Sequence, residues 1–97
     1  QAYEYLKHDL KDTELRVDSF TTDLVNQNQF DALVSFTYNV GIGNLKRSTL
    51  LKKVNKNVND TNIRIEFKKW VYDAKGKKQP GLIKRRDVEA ELYFASN

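Results

Sequence analysis

The sequence predicts an all-α fold of about five helices. Two observations carry that prediction: apolar residues recur at steps of three and four rather than in alternation, and the breaks between these runs hold cap-forming and turn-forming residues. No segment reads as a convincing strand, repeat or low-complexity tract. The first helix spans Ala2 to Phe20, where Tyr3, Leu6, Leu10, Val17 and Phe20 fall on one face. The second is announced by Asn26 and Gln29, a variant of the capping box in which each side chain serves the other residue's backbone N–H. Phe30, Leu33, Val34, Phe36 and Val40 follow, and their density predicts a helix buried on most sides. Gly41 and Gly43 are expected to end it, both being able to take the backbone conformation that closes a helix.

Ser48 is a candidate N-cap for a short third helix with Leu50, Leu51 and Val54 inward and Lys52, Lys53 and Lys56 outward. After the break at Asn55 to Asn59, Asp60 or Thr61 can cap a fourth helix carrying Ile63, Phe67, Trp70 and Val71 as its apolar stripe. Residues 75–79 form a polar loop around Gly76. Pro80 suits the first turn of the last helix, where its missing N–H is no loss, and Ile83, Val88, Leu92 and Phe94 are its expected core residues.

With 97 residues the chain has room for one domain, expected over residues 1–97, and not for a multi-domain enzyme. The absence of Cys excludes a disulfide framework and a Cys-based zinc site. No apolar run is long enough to span a bilayer, and residues 1–11 lack the apolar core of a signal peptide. The chain begins at Gln1 without Met, as expected of a piece of something longer.

The net charge of +4 is unevenly spread. Residues 1–44 hold three bases against seven acids, residues 45–59 hold Lys46, Arg47, Lys52, Lys53 and Lys56 with no acid, and residues 60–97 hold nine bases against six acids. A basic second half either attracts an anionic partner, such as nucleic acid or a charged cell-wall polymer, or is a set of solvated helix faces.

The residues themselves do not compose an active site. Glycoside cleavage needs two placed carboxyl groups about 5–9.5 Å apart, one of them kept protonated by apolar surroundings. Glu66, Glu89 and Glu91 lie on helices rich in Lys and Arg, where surface ion pairing is the expected role. His8, the single His, stands between Lys7 and Asp9 on a charged face. Ser35 and Ser48 have no evident base. The stretch Gly41-Ile42-Gly43 is not a phosphate-binding loop, no metal-ligand spacing occurs, and no cofactor is implied.

The run Gln27-Asn28-Gln29-Phe30-Asp31-Ala32-Leu33-Val34-Ser35-Phe36, continuing through Tyr38-Asn39-Val40-Gly41-Ile42-Gly43 to Ser48-Thr49-Leu50-Leu51, closely resembles the central segment of phage-type lysozymes, the endolysins. A second block fits the same family in the same order: Trp70, then Pro80-Gly81-Leu82, Arg85-Arg86 and Glu89. The resemblance implies a muramidase that hydrolyses the β-1,4 bond between N-acetylmuramic acid and N-acetylglucosamine in peptidoglycan. It implies a two-lobed fold, of which this chain is similar to the inter-lobe helix and the helical lobe. The family's catalytic Glu and its Thr-Ile-Gly-Tyr-Gly-His stretch belong to the other lobe and have no counterpart here, so the resemblance gives this chain no catalytic residue and makes that lobe an expected partner, in cis or in trans.

By the same resemblance Asn39 and Thr49 correspond to substrate-contacting positions of the cleft. An amide offers donors and an acceptor to N-acetyl and hydroxyl groups; the alternative for Asn39 is a helix C-terminal residue beside Gly41. Gly41 and Gly43 let a loop approach the cleft. Trp70 either stacks on a sugar or, more in keeping with its apolar neighbours, packs in the core. Pro80 is structural, and Arg85 and Arg86 either reach towards the other lobe or pair with Glu89 and Asp87, an orienting or structural role. The family's site of action is the host cell wall, reached from the host cytoplasm where a phage protein is made. The basic face around Lys46, Arg47, Lys52 and Lys53 would draw such a protein to acidic wall polymers. The alternative of another class is a basic helical module for nucleic acid or a protein partner, which rests on charge alone.

Overall fold

The computed structural model describes residues 2–95, with side chains from Leu10 to Ala95. The described residues form six helices: α1 (Ala2–Phe20), α2 (Gln27–Val40), α3 (Ile42–Lys46), α4 (Thr49–Lys56), α5 (Asn62–Lys68) and α6 (Pro80–Tyr93). The expected all-α class holds, with one helix more than the periodicity predicts. Tyr3, Leu6 and His8 lie outside the residues whose side chains are described.

Local signals account for most helix starts. Asn26 accepts from the Gln29 amide at 2.8 Å while the Gln29 side chain accepts from the Asn26 amide at 2.9 Å, completing the capping box of α2. Ser48, itself buried, accepts from the Leu51 amide at 3.0 Å and donates to Leu45 O at 2.7 Å, joining α3 to α4. At α5 it is Asp60 that bonds the Asn62 amide, at 2.9 Å, and the Thr61 side chain makes no cap. Pro80 opens α6 as its composition suggests.

The core gathers around α2. Ala32, Leu33, Val34 and Phe36 of α2 pack with Val17 of α1, Leu45 of α3, Leu50, Leu51 and Val54 of α4, Ile63 and Phe67 of α5, and Ala90 and Tyr93 of α6. Helix α2 packs most extensively on α6 and next on α1, so it is enclosed as its apolar density predicts. Phe36 lies at the centre of an aromatic group, with edge-to-face contacts to Phe67 at 5.6 Å and Trp70 at 5.5 Å between ring centroids. Tyr93 continues the group to Phe67 and donates its hydroxyl to Val58 O at 2.9 Å; burial raises the pKa of that hydroxyl.

Three expectations need correction. Gly43 does not break a helix: it lies inside α3, and only Gly41, at φ 95° and ψ 150°, has the positive φ that ends α2. Helix α5 stops at Lys68, so Trp70 and Val71 belong to the connection that follows; Val71 is buried and Trp70 half-buried, but neither continues a helical stripe. On α6, Ile83 and Val88 face solvent, and the inward face is instead Arg86, Glu89, Ala90 and Tyr93.

The polar loop of residues 75–79 is a tight turn closed by a bridge between Tyr72 and Lys78. Asp73 organises it by accepting from the Lys75 and Lys77 amides, each at 2.9 Å, and from the Gln79 side chain at 2.6 Å. These donors, that of Lys77 foremost, hold its carboxyl below the ordinary value.

The two glycines around α3 therefore respond oppositely to the same substitution. A Cβ at Gly41 meets nothing within 4 Å, so Gly41→Ala is opposed by its backbone conformation alone, at a cost of about 1–3 kcal/mol. Gly43→Ala places its Cβ in ordinary contact with Arg47 Nη1 at 3.9 Å and should gain about 0.5–1 kcal/mol from the lost backbone freedom of glycine. Thermal unfolding of the two variants should move the midpoint down for the first and up for the second.

Candidate functional site: a buried ion network beneath the α2–α6 surface

Ser35 and Asn39 are one helical turn apart on α2, and Arg86 and Glu89 are three residues apart on α6, so each pair shares one face of its helix. The packing of α2 on α6 brings the two faces together. Ser35 Oγ donates to Glu89 Oε2 at 2.6 Å, and Arg86 Nη2 donates to Asn39 Oδ1 at 2.9 Å. Arg86 Nε stands 2.9 Å from Glu89 Oε1, off the N–H axis, so this is coulombic pairing rather than a directed hydrogen bond. Arg86 Nη2 also contacts Glu89 Oε2 at 3.4 Å, and Arg85 Nε pairs with the same oxygen at 3.3 Å.

The burial of this network is its main physical feature. The Arg86 side chain has no solvent exposure and that of Glu89 only 3%. Arg86 lies over the Phe36 ring, with Cζ 5.1 Å from its centroid, and its Nη1 has no hydrogen-bond partner among the described residues. Burial lowers the Arg86 pKa from its ordinary value, against the opposing pull of Glu89. Burial likewise raises that of Glu89, against the opposing pull of the Ser35 hydroxyl and the two guanidiniums.

The expectation of surface ion pairing therefore fails for Glu89, which is buried, while Glu91 fits it through an exposed contact with Arg64 at 2.7 Å. Glu66 is also buried, and Lys69 caps its carboxylate at 3.0 Å. Asp87 pairs with Lys68 at 3.7 Å and not with either arginine. Sequence periodicity misses this arrangement because it assigns charged residues to the outside; the signal that could have marked it is the spacing of Arg86 and Glu89 one turn apart on a helix with no clear apolar face.

The remaining site positions divide clearly. Asn39 is exposed although its Oδ1 is tied to a buried partner, and its Nδ2 has no partner among the described residues. Thr49 is exposed in the first turn of α4, away from the network. Trp70 lies edge-on to Phe36, in agreement with a packing role. Arg85 is exposed and pairs with the buried Glu89 at 3.3 Å. A groove of about 360 Å³ runs beside the network, lined by Leu10, Glu14, Asp31, Val34, Ser35, Tyr38 and Arg85. A second groove of about 290 Å³, also bordered by Tyr38, includes Thr37, Gly41 and Ile42. Among the described residues, no helix is long and apolar enough to cross a membrane and no cluster of side chains could hold a metal ion.

This is a helical scaffold that holds one exposed amide by a buried guanidinium. The model of the phage lysozyme family matches residues 1–89, and the chain belongs to that family. It is 44% identical over 94 residues to the endolysin of Bacillus phage B103, an alignment that covers 97% of this chain and 35% of that protein. The endolysin from Escherichia coli O157:H7 phage FAHEc1 superimposes with a TM-score of 0.86 at 37% identity, over 97% of this chain and 61% of the other. The muramidase domain of SpmX from Asticaccaulis excentricus superimposes with a TM-score of 0.83 at 33% identity, over 94% of this chain and 63% of that one. The chain thus spans about a third of the Bacillus phage relative and somewhat under two thirds of the solved structures.

Proposed function

We propose that this chain is the inter-lobe helix and helical lobe of a peptidoglycan-cleaving lysozyme, and that it supplies one wall of the glycan cleft while the catalytic carboxyl comes from a second lobe. The observation that carries this reading is the superposition on the phage FAHEc1 endolysin at a TM-score of 0.86, with sequence identity high enough to join fold to family. The chemistry of the described carboxylates supports it. Glu89 is committed to Arg85, Arg86 and Ser35, and Glu66 to Lys69, so neither is an unpaired acid poised to protonate a glycosidic oxygen. Asn39 and Thr49 are exposed, as substrate contacts must be.

The basic stretch adds attraction for the target. Lys46, Arg47, Lys52, Lys53 and Lys56 form no ion pair with a carboxylate among the described residues, whereas Arg16, Arg64, Lys68, Lys69, Arg85 and Arg86 all do. Unneutralised cations of this kind raise encounter rates with anionic wall polymers and lose that effect in salt. A nucleic-acid module is not favoured, since its support was charge alone and the family match supplies a glycan-cleaving context.

Purified peptidoglycan sacculi test the reading. Residues 1–97 should bind them with an affinity that falls as salt rises, and should release no reducing ends, while the full-length protein should release them. Turnover by residues 1–97 alone would overturn the placement of the catalytic carboxyl on another lobe. Failure of the full-length protein to cleave would overturn the proposed activity.

A further inference from the structure

We propose that Arg86 is a positioning residue that fixes the polarity of the Asn39 amide, so that Asn39 meets the glycan as a hydrogen-bond donor to a sugar oxygen acceptor. The inference rests on the lysozyme reading above and deepens it by naming the chemical group that Asn39 recognises.

The argument follows from the chemistry of the pair. A primary amide has two faces, a carbonyl that accepts and an NH2 that donates, and a free Asn side chain can present either. A guanidinium has only donors. With Arg86 Nη2 2.9 Å from the amide, the atom that meets it must be Oδ1, and the flipped amide would set NH2 against N–H. Because Asn39 is exposed and Nδ2 has no partner among the described residues, the group left for a ligand is the donor. Carbonyl oxygens of N-acetyl groups and ring or hydroxyl oxygens are the acceptors that an N-acetylhexosamine chain offers.

Arg86 can impose this polarity because its surroundings hold it in place. It has no solvent exposure, it lies on Phe36 at 5.1 Å, and Glu89 holds it at 2.9 Å while Glu89 is held in turn by Ser35 at 2.6 Å. Such prior ordering lowers the entropy that a ligand contact would otherwise cost. The buried network thus has a consequence at the surface, where a single donor is offered in one orientation.

Chitotetraose binding to the full-length protein, read by calorimetry beside thermal unfolding, tests the proposal. Asn39→Ala should weaken binding about 3- to 10-fold, the range for one lost hydrogen bond. Asn39→Asp is the decisive variant: it keeps an acceptor for Arg86, so the unfolding midpoint should not fall, yet it replaces the donor by a second acceptor, so binding should weaken at least as much as in Asn39→Ala. The paired apolar replacement Arg86→Met with Glu89→Leu frees the amide to present either face, so it should weaken binding by less than Asn39→Ala does, and adding Asn39→Ala to it should have a smaller effect than in the wild-type protein.

Wild-type affinity in Asn39→Asp would overturn the donor assignment. Wild-type affinity in the Arg86→Met, Glu89→Leu variant, or an undiminished effect of Asn39→Ala within it, would overturn the positioning role. Wild-type binding that Asn39→Ala leaves unchanged would remove this inference alone, whereas absence of binding by the wild-type protein would remove the glycan reading with it.

Discussion

Glu89→Ala should be among the most destabilising single substitutions in this chain, at a cost of about 3–5 kcal/mol, because it leaves a buried cation without its counter-charge. Against a total stability of about 5–15 kcal/mol for a domain, such a loss is a large fraction of what holds the fold. Arg86→Met should cost less. Removing Arg86 leaves Glu89 with Arg85 at 3.3 Å and Ser35 at 2.6 Å, whereas removing Glu89 leaves Arg86 with only the neutral Asn39 oxygen at 2.9 Å and the Phe36 ring. The combined variant, Arg86→Met with Glu89→Leu, should recover most of the Glu89→Ala loss, since an apolar pair of similar volume carries no desolvation cost. Urea unfolding of the three variants measures this directly. Equal losses for the two single variants, or losses that add in the double, would show that the two charges do not act as a unit.

The same network explains why the sequence was legible in some places and not in others. Helices α1, α2 and α4 carry their own instructions: an apolar face at helical spacing, and caps at Asn26 and Ser48 whose bonds form within three residues. Such signals are local and survive without knowledge of the rest of the fold. Helix α3 is five residues long and begins beside Gly41, so the pattern Gly41-Ile42-Gly43 reads as a break, and only the packing of Leu45 into the core makes it a helix. Helix α6 is illegible for a different reason. Ile83 and Val88 lie outside and Arg86 and Glu89 inside, which reverses the usual assignment by hydropathy and is tolerated only because α2 supplies Ser35, Asn39 and Phe36 from about fifty residues away.

The candidate site divides along the same line. Asn39 and Thr49 are marked by resemblance to a family; nothing in their immediate neighbours singles them out, and a polar residue in the last turn before a helix-ending glycine is common for reasons of capping alone. What makes Asn39 chemically definite is Arg86, a contact across 47 residues that no local pattern contains. Trp70 is the reverse case. A core position follows from the apolar residues near it, but α5 ends at Lys68, so the ring is placed by tertiary contact with Phe36 and not by a helical stripe shared with Ile63, Phe67 and Val71.

Phe36→Ala should produce a loss of similar size, about 3–5 kcal/mol, from a different cause: a cavity at the meeting point of α2, α5 and α6. Phe36 is fully buried and touches three partners through its ring, Phe67 at 5.6 Å, Trp70 at 5.5 Å and Arg86 Cζ at 5.1 Å. Phe36→Leu fills most of the volume and should cost markedly less, and the part of the loss it does not restore measures the aromatic contacts, about 0.5–1.5 kcal/mol for each ring pair. Trp70 reports locally, because the loss of the Phe36 edge beside its half-buried ring should shift its fluorescence to longer wavelength in the folded state. Phe36 is also the surface on which the Arg86 guanidinium lies, so a cavity there admits water to the cation and relieves part of its desolvation. The Phe36→Ala and Glu89→Ala losses should therefore sum to more than the loss in the double variant. Strict additivity would mean that the aromatic core and the ion network are separate supports of the fold, and that Phe36 does not help to hold Arg86 against Asn39.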